Sequence, residues 1–127
     1  MSMHIDLAAR LEEHFGEHLE RAVELKLDAL IVHLTNGVSL EARVADPHAY
    51  AFTWVWGEAE LRIDTAPLHA DLATYPNHLH AADGVLHHDP LTVAGAAPWD
   101  NLQRLITAIL ADPLLGSVTS STGARQT

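Results

Sequence analysis

The sequence predicts a single-domain α+β fold over residues 1–115, in which an antiparallel meander sheet of about five strands has an N-terminal and a C-terminal helix packed on one face. Three observations predict this fold. Apolar residues recur at helical spacing near each end of the chain, and segments of strand-like alternation with short turns lie between them. The chain of 127 residues is 48% hydrophobic, which is enough to bury one core. Residues 116–127 are small and polar, which predicts a poorly ordered tail.

The first helix is predicted from residue 5 to about residue 25. Gly16, near its middle, weakens a helix by up to about 1 kcal/mol relative to alanine, or allows close packing. The apolar stripe continues on both sides of this glycine. Its members recur every three or four residues, at Leu7, Leu11, Phe15, Leu19 and Ala22.

A β-hairpin is predicted from residues 27–34 and 38–44 around Asn36-Gly37. A two-residue loop would place apolar residues opposite polar ones. A three-residue loop, with Gly37 in the left-handed region, collects the apolar side chains of both strands on one face. We therefore expect the second register, with the cross-strand pairs Leu34–Val38, Val32–Leu40 and Leu30–Ala42.

The third and fourth strands are predicted at residues 50–56 and 58–64, on either side of Gly57. Tyr50, Trp54 and Trp56 share a face of the third strand, and this alternation favours a core position over base stacking. The opposite face of the sheet should be wetter. Its expected members are Arg43, Glu60, Arg62 and Asp64.

Two short strands are predicted at residues 77–81 and 84–88, because Asp83-Gly84 between them is a hairpin signal. The second helix is predicted at residues 99–110. Pro98 marks its start, and Asp112-Pro113 ends it.

The composition limits location and partners. The formal net charge is −10, which disfavours tight, non-specific binding to nucleic acid. The absence of cysteine removes thiol catalysis and zinc–thiolate sites. The first residues do not look like a signal peptide, and no run of apolar residues is long enough to cross a membrane. We therefore expect a cytoplasmic protein without a membrane partner.

The stretch from residue 61 to residue 80 concentrates groups that ligate metals or move protons. Arg62 and Asp64 alternate along the predicted fourth strand, and His78 and His80 alternate along the fifth, with His69 in the loop between them. The three histidines, together with Asp64, could hold zinc, nickel, manganese or iron. The same residues could instead perform metal-free acid–base catalysis, with Arg62 binding a phosphate. A third interpretation is an ordinary surface ion pair beside solvated histidines.

Two further histidine motifs carry weaker signals. His14 and His18 belong to an H-x-x-E-H pattern typical of inverted zinc proteases, but the rest of that architecture needs a much longer chain. Surface histidines on an amphipathic helix are the favoured interpretation. His87-His88-Asp89 could complete the histidine cluster, but an exposed turn before Pro90 is the favoured interpretation.

Two runs in this region resemble the TumE-like family of small bacterial and archaeal proteins found in toxin–antitoxin gene pairs. They are R-I-D-T-A-P-L-H at residues 62–69 and Y-P-N-H-L-H at residues 75–80. The family pattern has an aromatic residue where this chain has Ile63, and an asparagine where it has Thr65. The likeness covers approximately residues 38–110.

The resemblance implies a growth-inhibiting toxin that is neutralised by an antitoxin protein and acts on RNA as a ribonuclease-like hydrolase. It implies site residues Arg62, Asp64, His69, His78 and His80. Two other functions remain open on the residues alone: a metal-binding or metal-dependent protein using His69, His78 and His80, and a non-catalytic interaction module. An uncovered Trp54 or Trp56 would favour a homodimer.

Overall fold

A computed structural model describes residues 3–68, 70–72 and 74–116. Helix α1, Met3–Phe15, leads into a 3₁₀ turn, Gly16–His18, and helix α2, Pro98–Ala111, closes the fold. Between them lies one antiparallel sheet whose seven strands are ordered as in the chain. The strands are β1 (Glu24–Leu25), β2 (Leu30–His33), β3 (Ser39–Asp46), β4 (Ala49–Trp56), β5 (Ala59–Asp64), β6 (His78–His80) and β7 (Leu86–His88).

The predicted α+β class, with two helices and an open antiparallel sheet, is confirmed. The sheet has seven strands where about five were predicted. Six of the strands lie at the six segments that were predicted individually, and the seventh, β1, comes from residues that were assigned to the first helix. Of the tail predicted at residues 116–127, residues 117–127 lie outside the described residues, so the order of the tail stays a prediction.

The two faces of the sheet have different roles, and the strand register shows which residues belong to each. The predicted three-residue hairpin is confirmed, because Val32 pairs with Leu40 and Gly37 has a positive φ of 96°. Rows of apolar side chains run across the helix-facing side of the sheet. The longest row consists of Leu30, Ala42, Phe52, Ile63 and Leu79.

Both helices pack on this apolar face. Helix α1 contributes Leu11 and α2 contributes Leu105 to the same buried cluster as the apolar rows of the sheet. Trp54 is fully buried there, and its indole Nε1 donates to the carbonyl of Pro113, just after α2, at 2.8 Å. Trp56, on the same face but at the end of β4, remains 40% exposed. The prediction that these aromatic residues are core therefore holds for Trp54 and only partly for Trp56.

The first helix ends at Phe15, so its predicted extension to about residue 25 is wrong. Beyond Gly16 the backbone pairs with neighbouring strands instead of with itself. The Glu20 amide donates to the carbonyl of His33, and the Thr35 amide donates to the carbonyl of His18. Glycine lowers the cost of leaving the helix, and β2 supplies partners that no local pattern reveals.

A buried polar network replaces the exposed turn predicted at His87-His88-Asp89. Asp89 is 4% exposed and accepts a hydrogen bond from Asn77 at 3.0 Å. Asn77 also donates to the Tyr50 hydroxyl, which lies 2.8 Å from the Thr92 hydroxyl. The prediction is wrong because β7 pairs with β6 and the residues after it reach the start of β4, where Thr92 contacts Tyr50. This network joins the loop after β7 to the core.

We expect Tyr50→Phe to lower the free energy of unfolding by about 1–3 kcal/mol at pH 7, because it removes the two buried hydrogen bonds of the Tyr50 hydroxyl, to Asn77 and to Thr92, each worth about 0.5–1.5 kcal/mol. Burial raises the pKa of Tyr50, although the hydrogen bonds from Thr92 and Asn77 oppose the rise. The unfolded tyrosine ionises first, near pH 10, so the wild type loses stability as pH rises through that range. The phenylalanine variant lacks this part of the loss.

Urea unfolding at pH 7 and at pH 10.5 (about half a unit above the ordinary tyrosine pKa) measures both effects. Tyr75→Phe is the matched control, because Tyr75 is 45% exposed. Equal unfolding free energies for the two variants at pH 7 would contradict the role of the network.

Candidate functional site

The two histidine- and arginine-bearing segments meet on the face of the sheet opposite the helices. Strands β5 and β6 are antiparallel neighbours, and their register places Arg62 opposite His80 and Asp64 opposite His78. Because side chains alternate along a strand, all four project to the same side, while Ile63 and Leu79 project into the core. We call this side of the sheet the site face.

Asp64 is the centre of the group. Its Oδ1 lies 2.7 Å from Nε2 of His78, and its Oδ2 accepts from Nε of Arg62 at 2.6 Å. The Nε2 atom of His80 lies 3.9 Å from the same Oδ2. The amide of Ala66 also donates to Oδ1, at 3.1 Å. One carboxylate therefore joins all the site residues that the sequence predicted on β5 and β6.

The group has a buried base and an open rim. The side chains of Asp64 and His78 are 9% and 2% exposed, whereas those of Arg62 and His80 are 47% and 44% exposed. A ligand can therefore reach the guanidinium and the outer imidazole directly. The buried pair acts on such a ligand only through its charge or through an atom shared with the rim.

The orientation of His78 is held by the loop before β6. Its Nδ1 lies 3.1 Å from the carbonyl oxygen of Pro76. A carbonyl only accepts hydrogen bonds, so Nδ1 carries a hydrogen and Nε2 is the atom directed at Asp64. The carbonyl of Pro76 therefore fixes which ring nitrogen of His78 faces Asp64.

Opposing effects act on the Asp64 carboxyl group. Burial raises its pKa, but the hydrogen bonds from Arg62 and from the Ala66 amide, with the charges of His78 and Arg62, outweigh burial and leave the pKa below its ordinary value. Asp64 is thus held as a carboxylate at neutral pH. A permanent negative charge at the base of the site attracts cations.

The structure brings together four of the five predicted site residues. His69 lies outside the described residues, so its part in the site stays a prediction. Within the described ranges, the candidate metal-binding group is Asp64, His78 and His80, whose ligand atoms all lie within 4.8 Å of one another. Three of the four candidate ligands that the sequence predicted therefore lie together.

The H-x-x-E-H motif does not form a helical metal site. His14 lies in the last turn of α1, whereas His18 lies in the 3₁₀ turn that follows. Two zinc-binding histidines of such a motif need one continuous helix to share a face. The interpretation as surface histidines is therefore favoured, and Nε2 of His14 lies 3.3 Å from Nε2 of Gln103.

Sequence reasoning missed two supporting groups. The first is the Pro76 carbonyl, which becomes visible only when the loop is folded. The second is Thr53 on β4, whose hydroxyl lies 3.4 Å from Nη1 of Arg62. Thr53 pairs with Arg62 in the register of β4 and β5, so the two predicted strands could have identified it once they were aligned.

No protein-family model matches the chain, and no curated protein or solved structure matches it either. Among the described residues, neither helix has the length and apolar character needed to cross a membrane. The chemistry of the site therefore has to be argued from its geometry.

We expect Asp64→Ala to be much more destabilising than Arg62→Ala. Removing the carboxylate breaks the buried Asp64–His78 pair, which costs about 3–5 kcal/mol for a pair of this kind. Arg62 is half exposed, so its ion pair is worth about 0–1 kcal/mol. Chemical unfolding at pH 7 measures both, with Glu60→Ala, on the same strand and face, as the control.

The same variants predict a pH dependence. Because the folded pKa of Asp64 is lowered, the wild type keeps this stability above the unfolded value of about 3.9 and loses it as pH falls through the folded value. Asp64→Ala should show a shallower loss of stability in that acid range. The same dependence of unfolding free energy on pH in the wild type and Asp64→Ala would contradict the lowered pKa of Asp64.

Proposed function

We propose that this protein is the toxin component of a toxin–antitoxin pair, that it acts on RNA in the cytoplasm, and that an antitoxin protein neutralises it. The observation that carries this proposal is the convergence of the two sequence runs that resemble the TumE-like family. They are separated along the chain, yet Arg62 and Asp64 of one run lie directly opposite His80 and His78 of the other. A shared chemical task would account for that convergence.

Arg62 suits the binding of a phosphodiester. Its Nε is held by Asp64 and its Nη1 by Thr53, while 47% of the side chain remains exposed. A guanidinium in a fixed orientation recognises phosphate oxygens through parallel hydrogen bonds. His80 is half exposed and opposite Arg62 in the register, so it would lie beside a phosphate bound there.

The net charge of −10 opposes RNA binding, so the attraction has to be local. Arg43 is the other arginine of the site face, but it is held between Asp28 and Glu41, each at 2.5 Å. Among the described residues, Arg62 instead has one carboxylate partner, Asp64, and that carboxylate also contacts the buried His78. The charge of Arg62 is therefore less fully neutralised than the charge of Arg43. This difference makes Arg62 the better candidate for contact with an RNA phosphate.

A growth assay tests the proposal. We expect induced expression of the wild-type chain in bacterial cells to arrest growth, and Arg62→Gln to relieve the arrest because its affinity for RNA falls by at least about tenfold (1.4 kcal/mol of lost binding is tenfold). Arg43→Gln is a matched control, because the Arg43 and Arg62 side chains are 50% and 47% exposed. It should remain toxic. Purified wild-type protein and Arg43→Gln should cleave single-stranded RNA, and Arg62→Gln should cleave it more slowly.

Normal growth at confirmed expression of folded protein would contradict the toxin function. Equal toxicity of the two arginine variants would contradict the assigned site. Co-expression of a protein encoded by the neighbouring gene should restore growth if it is the antitoxin. A non-catalytic interaction module, by contrast, would bind a partner equally well with Arg62 or glutamine at this position.

The predicted homodimer also remains a proposal. Trp54 is buried within the chain and is not available to a second copy. Trp56 is 40% exposed, although its indole Nε1 already donates to the carbonyl of Asn36. If the dimer forms through Trp56, light scattering should give twice the chain mass for the wild type and a single chain mass for Trp56→Ser.

A further inference from the structure

Both ring nitrogens of His78 lie close to oxygen atoms that accept hydrogen bonds. Nδ1 must carry a hydrogen because it faces the carbonyl of Pro76 at 3.1 Å. In a neutral imidazole the other nitrogen, Nε2, then presents a lone pair. That nitrogen lies 2.7 Å from a carboxylate oxygen, which also presents lone pairs. Two facing lone pairs repel, so either a proton or a metal cation has to lie between them.

The surrounding atoms are arranged for a metal ion as well as for a proton. A proton joins only Asp64 and His78, whereas a metal ion also uses a third ligand. His80 provides that ligand, because its Nε2 lies 3.9 Å from Oδ2 of Asp64 and the whole set lies within 4.8 Å. Ligands at about 2.0–2.2 Å from one tetrahedral ion lie about 3.3–3.6 Å apart. An ion therefore requires the half-exposed His80 to rotate inward, and requires Oδ1 of Asp64 and Nε2 of His78, which are 2.7 Å apart, to separate by about half an ångström.

We propose that Asp64, His78 and His80 bind one divalent transition metal ion per chain on the site face. Two neutral imidazoles and one carboxylate suit zinc, cobalt, nickel, manganese or ferrous iron better than calcium or magnesium. Three protein ligands leave coordination positions open for water or a substrate oxygen, as in catalytic rather than structural metal sites. The half-exposed His80 places those positions on the solvent side.

The outer contacts match those of known metal centres. A ligating histidine commonly donates its other ring nitrogen to a carbonyl, which fixes the ring, and Pro76 provides that carbonyl. A ligating carboxylate is commonly held by further hydrogen bonds, and the Ala66 amide and Arg62 hold Asp64. These contacts are already made by the chain, so two of the three ligands, Asp64 and His78, are oriented before an ion binds.

Arg62 sets a limit on the affinity of this site. Its guanidinium donates to Oδ2 of Asp64 at 2.6 Å, so it competes with the ion for the carboxylate and repels the ion by its charge. We therefore expect Arg62→Gln to bind the metal more tightly than the wild type. Because Arg62→Gln should weaken phosphate binding and strengthen metal binding, this variant distinguishes a phosphate-binding function of the site from a metal-binding one.

This inference goes beyond the proposed function and does not depend on it. The ligand set follows from distances and hydrogen bonds within the chain. A metal site in a protein that does not arrest growth would remain a metal site, and a toxin without a metal would remain a toxin.

The test uses untagged, chelator-treated, full-length protein. Cobalt(II) is titrated while visible absorption is recorded, and zinc(II) binding is measured by calorimetry. We expect one ion per chain, a cobalt absorption band, and at least about a tenfold loss of affinity in His80→Ala (1.4 kcal/mol is tenfold). His88→Ala is the matched control, because His88 is an exposed histidine on β7, the neighbour of β6 on the side away from β5.

Circular dichroism establishes that His80→Ala is folded, and His80→Gln is the second variant if it is not. Absence of a stoichiometric ion in the wild type would overturn the proposal and assign a proton to the Asp64–His78 contact. Equal affinities of His80→Ala and His88→Ala would also overturn it. Loss of binding in His14→Ala, with binding retained in His80→Ala, would move the ion to the first helix and contradict the assignment.

Discussion

The contact between Asp64 and His78 is the interaction on which the rest of the site face depends. It joins two neighbouring strands at a point that is almost closed to solvent, where an unpartnered carboxylate would be costly. Arg62, the Ala66 amide and the Pro76 carbonyl each satisfy a remaining hydrogen-bonding group of the pair. The stability of β5 and β6 and the chemistry of the site are therefore properties of the same few atoms.

Strand alternation separates this chemistry from the core. Ile63 is fully buried against the helices, while Arg62 and Asp64, its two neighbours in sequence, project to the site face. Leu79 has the same position between His78 and His80. A shift of one residue between β5 and β6 would exchange the apolar and polar sets, so the hydrophobic rows also fix the geometry of the site.

Much of the fold and most of the site could be predicted because both depend on alternation. The apolar sequence around Asn36-Gly37 distinguished between two hairpin registers, and the dipeptide spacing in β5 and β6 identified which polar residues share a face. The end of α1 could not be predicted, because the residues after Gly16 pair with β2, which is distant in sequence. The burial of Asp89 depends equally on partners that a linear pattern does not show.

The sheet ends on both sides in very short strands, since β1 has two residues and β7 has three. A long, flat edge strand exposes unpaired backbone N–H and C=O groups with which another chain can pair, and such pairing commonly begins aggregation. Another chain could pair with only two residues of β1 or three residues of β7 before the backbone leaves the sheet. The short edge strands therefore disfavour edge-to-edge pairing between copies of the chain, while the polar face of the sheet stays open to ligands.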